Sequence, residues 1–147
     1  MLSKKTKYAI KALVALAENF GKGPTLISTL AEEELIPKKF LEVILLELRN
    51  QGILGSKKGA GGGYYLLKDP AEVMLSQVIR VTDGPIALLP CVSLNFYEPC
   101  DDCRNEAICG IRDVARDVRD AMLKILNETS VADVLKKQHS LKIDPKD

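Results

Sequence analysis

Ala9, Leu13, Leu16 and Phe20 recur at spacings of four, three and four, which lays one apolar stripe along a helix. The stripe predicts a first helix from Lys4 to Phe20, with Ser3 as its N-cap and Gly21 as its stop. A short helix follows from Leu26 to Glu33. Leu35-Ile36 then turns the chain, and Pro37 opens a third helix that runs to Asn50; a missing N–H costs nothing in a first turn. Phe40, Leu41, Ile44, Leu45 and Leu48 give this helix a buried side. Lys38, Lys39, Glu42 and Arg49 lie on or near the other, and Gly52 ends it. Two helices joined by a tight turn, behind a longer first helix, make a helix-turn-helix pattern.

The pattern then changes. Residues 53–58 and 64–67 read as two strands around the tip Gly59-Ala60-Gly61-Gly62-Gly63. Glycines there permit a positive-φ turn and close backbone approach, so the segment is predicted to be a hairpin wing. A phosphate-binding loop is excluded, because no Gly-Lys-Ser/Thr follows and the next segment is a strand.

Beyond the break at Asp69-Pro70, a helix is expected from Leu75 to Thr82, stopped by Asp83-Gly84. Residues 85–108 show no period, and irregular segments of that length are usually functional or mobile. A long helix is expected from Ile111 to Leu126. Ile111, Ala115, Val118, Met122 and Ile125 alternate spacings of four and three, a coiled-coil-like seam suited to pairing two copies. Ser130 and Asp133 cap a last helix reaching Gln138, before a charged tail with His139 in it. The fold class is therefore mainly α with a small β-hairpin wing, a winged helix-turn-helix plus a long dimerisation helix. Its expected parts are a DNA-binding domain over 1–84, a cysteine-bearing loop over 85–110, dimerisation and C-terminal helices over 111–138, and a tail over 139–147.

Charge sharpens this picture. The net charge of +1 hides 11 Lys and Arg against 7 Asp and Glu in residues 1–70, and 10 against 13 in residues 71–147. The first half suits a polyanion. Lys38, Lys39 and Glu42 sit at the start of the third helix, where side chains of such a helix reach base edges. Lys57, Lys58 and Gly61 on the wing, with Lys4, Lys5 and Lys7 on the first helix, are the candidate phosphate contacts. No apolar run approaches the ~20 residues of a membrane span, and no signal peptide is read at Met1-Leu2-Ser3-Lys4-Lys5, so a cytoplasmic location is expected. No grouping of catalytic side chains points to an enzyme.

All four cysteines fall in one stretch, spaced Cys91-x8-Cys100-x2-Cys103-x5-Cys109. In a cytosolic chain such a cluster binds metal or senses redox state more often than it forms structural disulfides. Thiolates suit zinc and iron–sulfur clusters. Glu98, Asp101, Asp102 and Glu106 surround them with only Arg104 as counter-charge, and negative neighbours disfavour a free reactive thiolate.

Several of these motifs resemble the IscR/NsrR/CymR-type winged-helix transcriptional regulators. The resemblance rests on Lys7-Tyr8-Ala9-Ile10, Phe40-Leu41-Glu42, Leu48-Arg49-Asn50-Gln51-Gly52, the wing Lys58-Gly59-Ala60-Gly61-Gly62-Gly63-Tyr64, and Cys109 leading into the long helix. It implies a homodimer on a palindromic operator in double-stranded DNA, with the third helix in the major groove. It also implies that many members hold a 2Fe-2S or 4Fe-4S cluster on three cysteines, while others hold none and answer to a partner protein or small molecule. Cluster-binding members space them Cys-x5-Cys-x5-Cys. Here Cys103-x5-Cys109 fits the second half, and Cys91 fits the first position only with a six-residue insertion that carries Cys100. Further ligands in such members correspond to Arg112 and Lys7, neither of which suits, and Cys100 is the candidate fourth ligand. The expected function is a DNA-binding transcription regulator controlled by an iron–sulfur cluster or redox state. The alternatives are control by zinc or thiols without a cluster, or a metal- or redox-dependent interaction protein that does not bind DNA.

Overall fold

A computed structural model describes residues 1–146. Six helices and one hairpin follow in chain order: α1 Lys4–Glu18, α2 Ile27–Glu34, α3 Lys38–Asn50, β1 Leu54–Lys57, β2 Gly63–Leu66, α4 Leu75–Thr82, α5 Gly110–Glu128 and α6 Val131–Ile143. The expected winged helix-turn-helix with a long helix behind it is the architecture observed. Helix α1 starts where predicted and ends two residues short of Phe20. Helix α6 continues five residues past Gln138, so His139 lies on a helix, its Nε2 2.7 Å from Glu18 Oε1.

Helix α1 is the hub, packing against α2, α3, α4, α6 and β2. Leu13, Leu30, Leu41, Ile44, Leu45 and Leu48 form the centre of the core. The α2–α3 turn is a Schellman motif: Ile36 N–H donates to Ala31 O at 3.0 Å and Leu35 N–H to Glu32 O at 3.4 Å. Leu35 carries the left-handed conformation of that motif, at φ 55°. Helix α3 ends in the same motif, with Gly52 at φ 73° in the equivalent place.

The wing pairs Leu54 with Leu66 and Lys57 with Gly63 in antiparallel register. Thr25 joins it through a two-way bridge to Tyr64, at 2.8 and 2.9 Å. This bridge explains Gly63: a Cβ there would stand 2.0 Å from Thr25 O. At Gly62 it would stand 2.2 Å from Lys57 O.

Helix α6 turns back onto α1 and buries Val131 in the main core. Its start is tied to α4 by Val131 N–H to Val73 O and Leu75 N–H to Thr129 O, both at 2.9 Å. Packing thus groups α6 with the N-terminal helices, whereas the sequence grouped it with α5. Helix α5 carries two apolar faces. Ala115, expected on the outer seam, is buried against Cys91 and Val92. The outward stripe runs instead through Ile111, Val114, Val118, Ala121 and Ile125, spaced three, four, three and four, with Ile111, Val114 and Ile125 well exposed. That spacing keeps the seam character while moving two of its members by one position. Among the described residues no helix is long and apolar enough to cross a membrane.

Candidate nucleic-acid interface and thiol segment

Helix α3 buries Leu41, Ile44, Leu45 and Leu48 and leaves the opposite side free. That free side exposes Lys38, Lys39, Glu42 and Arg49, together with Val43 and Leu46. The last two are missing from the sequence-based candidates, although a count of four residues onward from Lys39 and then three more reaches both. Lys57 and Lys58 are exposed at the end of β1 and the start of the tip, and Gly61 is exposed with φ 72°. Lys4 and Lys7 are exposed on α1.

Lys5 behaves differently. Its Nζ stands 2.6 and 2.8 Å from the two carboxylate oxygens of Glu47 on α3. The lysine is half-buried, and its charge is paired across α1 and α3 instead of standing open as those of Lys4 and Lys7 do.

The segment between α4 and α5 is ordered by short turns. Residues Pro90–Val92 form a 3₁₀ turn that packs on α5, with Cys91 and Val92 buried. Arg119 of α5 donates from Nη1 to Val92 O at 2.6 Å. A second turn brings Cys103 N–H to Cys100 O at 3.2 Å. Cys109 is the N-cap of α5, its Sγ accepting from Arg112 N–H at 3.4 Å. Cys100 is exposed and donates to Asp102 Oδ1 at 3.1 Å. That hydrogen bond and the carboxylate's charge push the thiol up to about 11.

The four cysteines are free. Among the described residues, no three His, Cys, Asp or Glu side chains converge into a group able to hold a metal ion. Among the described residues, the expected ligand set of Cys91, Cys100, Cys103 and Cys109 is not brought together.

A hairpin wing beside a helix-turn-helix whose second helix presents an uncovered, lysine-bearing side defines a winged-helix DNA-binding protein. The chain matches, over residues 2–137, the Rrf2 family, described as iron-dependent transcriptional regulators, and it belongs to that family. An rrf2-like HTH-type transcriptional regulator from Rhodobacter capsulatus is 44% identical over 92% of each chain. The structure of CymR, the global cysteine regulator of Bacillus subtilis, superposes with a TM-score of 0.77 at 29% identity, covering 93% of this chain and 97% of that one. IscR from T. potens superposes at 0.73 with 27% identity, covering 94% and 88%. The chain is thus a transcription regulator rather than an enzyme, and it binds double-stranded DNA as a homodimer.

Proposed function

We propose that each α3 of the dimer enters the major groove of a palindromic operator, and that the thiols of residues 91–109 set the affinity for it. Lys39 and Glu42 read base edges, while Lys57, Lys58, Lys4 and Lys7 hold phosphates. Helix-turn-helix dimers place their two half-sites about 34 Å apart. The observation that carries the thiol reading is the burial of Cys91 against Ala115 of α5. Any change of volume or polarity at that sulfur is felt by the helix whose outer stripe pairs two copies, because close-packed contacts yield little. The likeness to CymR of Staphylococcus aureus, whose structure is known in an oxidised form, supports the same reading.

Diamide tests it, accepting the two protons and two electrons released as two thiols join. Affinity for an operator selected from random DNA is measured by anisotropy before and after treatment. A change of about tenfold, reversed by dithiothreitol and absent when all four cysteines are replaced by serine, is expected. Equal binding in both states would overturn the thiol reading. So would brown, anaerobically purified protein with stoichiometric iron and sulfide, an outcome that the likeness to IscR keeps in view.

A further inference from the structure

Successive residues of an α-helix are rotated by about 100°. On α3 this places Lys39, Val43, Leu46 and Asn50 along one line, opposite the buried Leu41, Ile44, Leu45 and Leu48. Glu42 and Arg49 flank that line on one side. Its middle is apolar: Val43 is 51% exposed and Leu46 46%. Among the described residues no other part of the chain covers them, and water gives no advantage to two neighbouring apolar side chains on a line that starts with a lysine and ends with an asparagine.

In the major groove such a position does have a partner. Thymine presents its C5-methyl there, and apolar side chains discriminate it by contact. Recognition helices reach base edges with their N-terminal residues, and Val43 is the sixth residue of α3, one turn after Lys39. Valine is also stiff, with one strongly preferred χ1 in a helix, so its methyls are held in place before DNA arrives.

We infer that Val43 is a specificity-determining residue that reads the 5-methyl group of one thymine in each half-site. The inference rests on the proposed placement of α3 in the groove and names what the centre of that helix recognises there. Leu46, nine residues into α3 and nearer its C-terminal end, lies beyond the part of the helix that reaches base edges.

Uracil differs from thymine only by lacking this methyl, so it isolates the contact. The full chain is titrated with the selected operator and with duplexes in which each thymine is replaced in turn by uracil, at fixed salt. One position per half-site is expected to weaken binding about fourfold, the worth of one buried methyl group. Changing both half-sites together multiplies the loss to about fifteenfold. In Val43→Ala the penalty at that position falls below about twofold, while the salt slope stays unchanged because no phosphate contact is lost. The variant is expected to fold, since alanine favours an exposed helix site.

A uracil penalty that survives in Val43→Ala overturns the inference, as does an operator without any methyl-sensitive thymine. Loss of the dimer in Val43→Ala also overturns it, because Val43 would then serve a protein contact. Two further variants separate this from failure of the underlying reading. If Lys39→Ala and Glu42→Ala change the selected sequence while Val43→Ala leaves the uracil pattern intact, only the methyl contact is wrong. If none of the three alters selectivity, α3 is not the reading helix.

Discussion

Arg119 of α5 and the carbonyl of Val92 are joined at 2.6 Å, and this bond fastens the cysteine-bearing segment to the long helix. The Arg119 side chain is 12% exposed, and its guanidinium is also held by Asp120 at 2.7 Å. A hydrogen bond from a charged donor contributes about 1.5–3 kcal/mol, and its removal leaves the buried Val92 oxygen unpaired. Arg119→Met keeps the bulk and removes the donor. Alkylation of Cys91 and amide exchange across residues 91–93 are expected to accelerate about tenfold or more. If Cys91 stays as protected as in the unaltered protein, the clamp is elsewhere.

Lys5 and Lys58 look alike in the sequence but answer different measurements. Lys58→Ala is expected to weaken binding to all DNA sequences and lower the salt slope by about one, as loss of one phosphate contact does. Lys5→Ala is expected to leave the slope unchanged and to lower stability by about 0.5–1 kcal/mol, the range of a partly exposed ion pair. Urea titration and salt-dependent anisotropy on both variants check this. A reduced slope in Lys5→Ala would return that residue to the interface.

That contrast shows where sequence reasoning stops. The limits of α4 and the start of α1 are legible because local signals fix them, namely Ser3 before a periodic run and Asp83-Gly84 after one. The wing is legible because strand period and glycine tip coincide. The partner of Lys5 lies 42 residues away, and nothing local marks Glu47 as that partner. On α5 the three-and-four rule fits two stripes equally well. Only the docking of Cys91 and Val92 places Ala115 inside and leaves Val114 and Ala121 out. The return of α6 onto α1 depends on the pairing of Met74 with Ser130, a contact between segments with no shared pattern.

Leu35 occupies a glycine's place. It is 82% exposed at φ 55°, in the motif that Gly52 completes at the end of α3. A left-handed conformation costs a residue with a Cβ roughly 1–2 kcal/mol, and the exposed side chain returns little packing. Glycine relieves the strain but adds freedom to the unfolded chain, which offsets part of the gain. Leu35→Gly is expected to stabilise the protein by about 0.5–1 kcal/mol, raising Tm by about 3 °C. A thermal scan showing destabilisation would mean that the Leu35 side chain packs against something in the working dimer.

Helix α1 opens with Lys4, Lys5 and Lys7 and has no acidic residue in its first turn, an arrangement that the helix dipole disfavours. Asp83, at the end of α4, supplies the missing negative charge. Its Oδ2 accepts from Ser3 N–H at 3.0 Å and its Oδ1 from the Ser3 hydroxyl. Partial burial pushes the Asp83 carboxyl up, but the hydroxyl and N–H of Ser3, the Thr6 hydroxyl and the Lys5 charge together hold it below the ordinary 3.8. A carboxyl lowered on folding binds its proton less readily in the native state, so its stabilisation is full above the unfolded value and is lost as pH falls through the folded one. The stability difference between the unaltered protein and Asp83→Asn should therefore be constant from neutral pH to about 5 and should shrink below about 4. Chemical denaturation across that range measures it. A difference that persists unchanged at pH 3 would show that Asp83 acts through its shape and neutral hydrogen bonds, and that its charge does not offset the lysines at the head of α1.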